Sequence, residues 1–199
     1  GIAQWNMARL AECLLPLLDE DADKAVELAN GVLAEFATDF PKRWLSGMRE
    51  KLGLSTADDA DEQLVQDLLA LMQRNEVDFT LTFRRLCDAA DGSPEAFRGM
   101  FTDLDGADEW LTRWRQRAWR ESATESDRAK AMRAVNPARI PRNHRIEELI
   151  AAAVEDGDLG PFHAMLKSIQ RPYEDLPEFA VYAQAPMGHE RVFRTFCGT

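Results

Sequence analysis

The chain has 199 residues, 45% of them hydrophobic and 30% charged, with a formal net charge of -11. That length suits one domain or a compact pair with a true core, and the acidic balance argues against broad nucleic-acid binding, which needs lysine and arginine to displace counterions. No apolar run reaches the roughly 18 residues needed to cross a bilayer, no signal peptide is visible, and three widely spaced cysteines fit a reducing compartment; the expectation is a cytoplasmic protein without a membrane partner.

The pattern is helical almost throughout, and the predicted class is all-α. There is no initiator Met: Gly1 leads directly into residues 2–18, apolar on nearly every face, which reads as a buried helix and as the later part of a longer chain. Residues 23–40 are amphipathic, with Val26, Ala29, Val32, Leu33, Phe36 and Phe40 on one side, and Pro41 is expected to start a separate segment over residues 42–52, closed by Gly53. Ser55, Thr56 and Asp58 read as the cap of a helix carrying Leu64, Val65, Leu68, Leu69, Leu71 and Met72. The acidic run Asp58, Asp59, Asp61 and Glu62 suits the dipole at that helix start better than a cation site.

Asp78 reads as the cap of a helix bearing Phe79, Leu81, Phe83, Leu86 and Cys87, and Ser93-Pro94-Glu95 as a further start. Asp103-Leu104-Asp105-Gly106 has the look of a calcium loop, but with Gly106 in sixth place Phe101 and Thr112 fall where acidic ligands are required, leaving an acidic turn and cap. Residues 108–119 carry Trp110, Trp114 and Trp119 among arginines, a pattern of helix packing with snorkelling guanidinium groups more than a base-stacking surface. Residues 121–126 form the best candidate linker, dividing the chain into 1–120 and 121–199. Residues 127–135, 143–155 and 161–169 are predicted helices, and an irregular tail follows from Arg171.

Three features are open to a chemical reading. Cys13 and Cys87 fall within apolar helical patterns and are expected to be buried and inert, whereas Cys197, near the end of the chain with Arg191 and Arg194 close in sequence, is expected to be the reactive thiol. His144, His163 and His189 are isolated, so no metal-ligating residue is assigned. Residues 136–143 hold two prolines that fix an extended connector, with Asn136, Arg139, Arg142 and Asn143 available either to bind a carboxylate or phosphate or to tie the connector to neighbouring helices.

Read in order, Trp5-Asn6-Met7-Ala8-Arg9-Leu10-Ala11, Asp78-Phe79-Thr80 with Phe83-Arg84-Arg85-Leu86, Met132-Arg133-Ala134-Val135-Asn136-Pro137 leading to Arg142-Asn143, then Gly157-Asp158, Arg171-Pro172-Tyr173 and Phe196-Cys197-Gly198-Thr199 resemble the C-terminal part of the selenoprotein O family. The resemblance runs over residues 2–199 without a gap. It implies a protein-kinase-like fold that binds ATP inverted and transfers AMP to hydroxyl side chains of proteins, with magnesium as cofactor.

The family's phosphate-binding lysine, its paired glutamate and its metal-binding Asn and Asp lie upstream of the first helix. The resemblance therefore implies no catalytic, nucleotide-binding or metal residue here, and a helical part of a kinase-like C-lobe plus an extension. Its implied partners are the upstream kinase-like half and the protein substrates, with a dimer through the first helix as a further possibility. Cys197 matches the family's terminal redox cysteine, implied to pair with an upstream cysteine. The alternative is a self-contained helical interaction module. A buried first helix favours it, while a broad apolar patch over Ile2, Trp5 and Leu10 favours a part of something larger.

Overall fold

The computed structural model describes residues 1–194, and among them every regular element is helical. Two compact units divide at Met48.

The first unit holds α1 (Ile2–Leu18) and most of α2 (Ala22–Lys51). Asp21 starts α2 from the turn, its carboxylate accepting the Asp23 N–H at 2.9 Å. The expected break at Pro41 does not occur, and α2 runs through it. Proline removes one intrahelical hydrogen bond and crowds the carbonyl four residues back, which bends a helix without having to end it. The expectation of a buried first helix is also overturned. No residue of α1 is buried, Ile2 is 82% and Trp5 62% exposed, and Cys13 is exposed instead of buried. A helix apolar all round needs neighbours on several sides, and α2 is its only partner within this unit.

The second unit contains α3 (Asp61–Arg74), α4 (Phe79–Ala90), α5 (Glu95–Arg98), α6 (Leu104–Ala118), α7 (Glu125–Val135), α8 (Asn143–Glu155) and α9 (Gly160–Ile169). A 3₁₀ turn at Pro177–Phe179 leads into α10 (Ala180–Ala183), and another covers Gly188–Glu190. α4 packs on α5 and α7, α3 on α6, and α8 on α9. The core between them is built from Val65, Leu68, Phe83, Leu86, Phe97, Trp110, Leu111, Trp114 and Met132.

Phe97, Trp110 and Trp114 stack in sequence, with ring centroids 5.8 and 6.1 Å apart. Both buried indoles donate to main-chain carbonyls, Trp110 to Leu64 at 2.9 Å and Trp114 to Leu52 at 3.0 Å, so neither N–H is stranded. Trp119 departs from that set: it sits just past α6 and is 70% exposed. Gly53 turns the chain beneath α7 with φ of +69°, where an added Cβ would lie 2.5 Å from Arg128 Cγ and 2.8 Å from Met132 Cγ. Only glycine fits that approach.

Helix starts follow local capping chemistry. Asp78, Asp103 and Thr124 accept the N–H of Leu81, Gly106 and Asp127. α6 and α7 accordingly begin before residues 108 and 127. α3 begins at Asp61 and not beside Ser55, because Ser55 and Thr56 are engaged elsewhere.

Candidate functional site

The connector from α7 to α8 is tied by its side chains to several helices of the second unit. Asn136 is wholly buried at its start. Its amide donates to the Lys51 carbonyl at 2.9 Å and accepts from Lys51 Nζ at 3.3 Å, and its own carbonyl accepts from Arg84 Nη1 at 2.9 Å. Arg84 also binds the Arg133 carbonyl at 3.2 Å and the Asp175 carboxylate. Asn136 thereby ends α7 while holding the end of α2 and the middle of α4.

Arg139 is 2% exposed and donates to three carbonyls at and beyond the end of α9: Ser168 at 3.3 Å, Arg171 at 2.7 Å and Glu174 at 2.8 Å. A guanidinium at a helix C-terminus satisfies carbonyls that the helix cannot, and opposes the negative end of its dipole. The Arg139 guanidinium also lies 5.7 Å from the Phe179 ring centroid. Arg142 grips Asp78 with both terminal nitrogens, at 2.6 and 3.0 Å, and reaches the Ala183 carbonyl at 3.1 Å. Burial alone would raise the Asp78 pKa, but the Arg142 fork and the Leu81 N–H hold it below the usual carboxylate range. Of the two uses open to Arg139 and Arg142, tying helices together accounts for their terminal nitrogens. Asn143 is exposed, in the first turn of α8.

Cys87 lies against this junction. Its thiol is 3.3 Å from the Phe83 carbonyl, and burial pushes its pKa up to about 11 against the opposing pull of Arg84 and Asn136. It is therefore a protonated, weakly nucleophilic thiol at neutral pH. Lys51, whose Nζ donates to the Asn136 side chain, has its pKa lowered by burial. Cys197 lies outside the described residues.

A second polar cluster has no counterpart in the sequence reading. Asp61 is buried at the start of α3 and accepts from Arg49 Nε and Arg117 Nε, each at 2.7 Å. Arg117 does not snorkel: it also binds Glu121 at 3.0 Å and the Thr56 carbonyl at 2.8 Å. Glu121, with its side chain 1% exposed, accepts the main-chain N–H of Ser55 at 2.9 Å and of Thr56 at 3.1 Å, and both hydroxyls. Burial works against its ionisation, yet those donors bring its pKa down to about 2. Arg117 and Glu121 are four residues apart, but their other partners are distant in sequence, so helical periodicity could not reveal the cluster.

In the first unit, Met7, Leu10, Leu14, Leu28, Val32 and Leu33 line an apolar groove of about 320 Å³ between α1 and α2. Among the described residues no three His, Cys, Asp or Glu side chains converge to hold a metal ion. No helix among them is long and apolar enough to cross a membrane.

Comparison with known proteins gives these features a setting. The family model described as protein adenylyltransferase SelO matches residues 1–170. A protein nucleotidyltransferase YdiU of Agrobacterium fabrum is 67% identical over the whole chain, which covers 41% of that relative. Proteins of the same name from Rhizobium etli and Rhodopseudomonas palustris are each 52% identical over the whole chain, which covers 40% and 41% of them. The chain thus spans about two fifths of the length of the curated relatives it matches. The ordered motifs from Trp5 to Tyr173 and the matched model agree: the chain belongs to the SelO protein adenylyltransferase family.

Proposed function

We propose that this chain is the supporting, all-helical C-terminal part of a protein adenylyltransferase, and that the longer protein transfers AMP from ATP to hydroxyl side chains of other proteins in the cytoplasm with magnesium. The observation that carries this reading is the family match over residues 1–170 in a chain covering 41% of its relative. No catalytic, nucleotide-binding or metal role is assigned to its residues.

On this reading α1 is the helix on which a kinase-like C-lobe is built, and the upstream half packs on its apolar side chains. The exposure of Ile2, Trp5, Leu10 and Leu17 supports it. Each large apolar side chain left in water forfeits roughly 1.5–3 kcal/mol relative to full burial. The test is direct. The purified chain and the longer protein are incubated separately with magnesium, labelled ATP and a protein acceptor. The longer protein labels the acceptor and the chain alone does not; robust transfer by the chain alone refutes the reading.

Cys197 carries the redox part of the proposal, by forming a disulfide with a cysteine of the upstream half that holds the enzyme less active until reduced. Activity of the longer protein should rise with reductant, and Cys197→Ser should remove that dependence. Dependence persisting to the same degree refutes the role.

The second reading is a self-contained helical interaction module without catalysis. It calls for a covered first helix, so the exposure of Ile2, Trp5 and Leu10 weighs against it. A longer protein without transferase activity, with residues 2–18 of the isolated chain protected from amide exchange, would favour the module.

A further inference from the structure

We propose that residues 175–194 form a releasable strap on the second unit, hinged after Glu174, whose opening governs the reach of Cys197. The release is a property of the described residues; its use for Cys197 rests on the redox reading proposed above.

The ties change in kind at Glu174. Up to that point buried donors hold the chain: Arg139 binds the carbonyls of Arg171 and Glu174 at 2.7 and 2.8 Å, and the Pro172 carbonyl accepts the Ala138 N–H at 2.8 Å. After Glu174 no described residue is buried, and neither 3₁₀ turn nor α10 buries a side chain. Val181, Met187 and Phe193 are exposed instead. A segment that removes so little apolar surface from water gains little by lying on the body.

Three cavities lie beneath it. One of about 300 Å³ sits between Pro177 and Ala180 on the strap and Leu81 and Arg85 on α4. Another of about 700 Å³ sits between Pro186 on the strap and Leu69 and Phe79 of α3 and α4, and a third of about 370 Å³ between Val192 and Ile140 of the connector. Fixed elements pack closely and gain dispersion contacts along their length. This one is laid over gaps.

What holds it is polar. The Asp175 carboxylate accepts from Arg84, the Ala183 carbonyl accepts from Arg142 at 3.1 Å, and Arg191 Nη1 is 3.6 Å from Glu76 Oε2. The Phe179 ring centroid lies 5.7 Å from the Arg139 guanidinium. The side chains of Asp175 and Glu76 are 72% and 78% exposed, so salt screens both pairs. Arg84 keeps the Asn136 carbonyl and Arg142 keeps Asp78 when the strap leaves, so release strands no buried charge.

Such a segment opens locally while the helices beneath stay folded. Cys197 is six residues beyond Arg191 and 23 beyond the hinge in sequence. Opening therefore raises the greatest reach of the thiol from its last anchor from about 20 Å to about 80 Å.

The test is amide hydrogen exchange of the full chain, read by mass spectrometry at about 0.05 M and about 0.5 M sodium chloride. Residues 175–191 are expected to exchange well before α3 and α6. They should exchange roughly two- to fivefold faster again at high salt and in Asp175→Ala, with α3 and α6 unchanged. Exchange of residues 175–191 as slow as that of α6, or indifferent to both salt and Asp175→Ala, overturns the strap.

The second measurement uses the longer protein with oxidised glutathione. Two cysteine thiols and one glutathione disulfide become one protein disulfide and two glutathione thiols. Asp175→Ala should speed formation of the Cys197 disulfide by the same factor as it speeds exchange. An unchanged rate overturns the link between strap and thiol. Absence of any Cys197 disulfide overturns the redox reading instead, and leaves the release established by exchange.

Discussion

Glu121 offers the sharpest test of the packing described here. Its carboxylate accepts from two main-chain N–H groups, two hydroxyls and Arg117, with almost no solvent contact. Its pKa falls from 4.5 to about 2. At about 1.36 kcal/mol per unit, that shift corresponds to about 3 kcal/mol favouring the ionised folded state. The sign follows from the lowered folded-state value: the contribution is complete above the unfolded pKa of 4.5 and is lost as pH falls toward about 2. Glu121→Gln keeps the shape but sets an amide donor among groups that are themselves donors. It should therefore lower unfolding free energy at neutral pH by about 3 kcal/mol. Urea denaturation followed by tryptophan fluorescence measures it, since Trp110 and Trp114 lie in the same unit's core. The gap between variant and wild type should narrow as acid protonates Glu121. A loss under about 1 kcal/mol at neutral pH, the size of an ordinary exposed pair, would refute the argument that these converging donors set this group's energetics.

Three further outcomes are expected. Asp78→Asn keeps a capping oxygen for α4 but removes the charge facing Arg142, and should cost about 3 kcal/mol in urea denaturation; a double-mutant cycle with Arg142→Ala should return a coupling above about 1 kcal/mol. Gly53→Ala meets both a positive φ and the side chains of Arg128 and Met132, and should lower stability by about 1–3 kcal/mol, read as a fall in thermal midpoint. In the folded chain Cys13 should alkylate readily and Cys87 only on unfolding, as mass spectrometry after brief labelling would show, because Cys13 is exposed whereas Cys87 is buried with a pKa near 11.

The fold class and most helices were legible because their causes are local. Asp78 caps α4 as its position suggests, Asn136 and Pro137 end α7, and α8 spans Asn143–Glu155 as its periodicity indicates. Failures arose where a local signal met a distant partner. Ser55 and Thr56 have the composition of a helix cap, yet Glu121 takes their donors from 65 or more residues away. Pro41 carries a stop signal that a long helix overrides. The all-round apolarity of α1 correctly marks a surface that needs cover, but a pattern records the need and not the neighbour.

The same limit governs the candidate sites. Residues 136–143 showed forked donors beside prolines, a pattern equally suited to binding a ligand or to binding the protein itself. Only the positions of the acceptors could decide. Arg139 ends on three carbonyls and Arg142 on Asp78, so the arginines that drew attention are consumed internally. His144, which as a lone histidine carried no signal, is buried with its Nε2 unpaired among the described residues. An arginine cluster announces itself by composition, yet its binding capacity is what remains after the fold has used its donors.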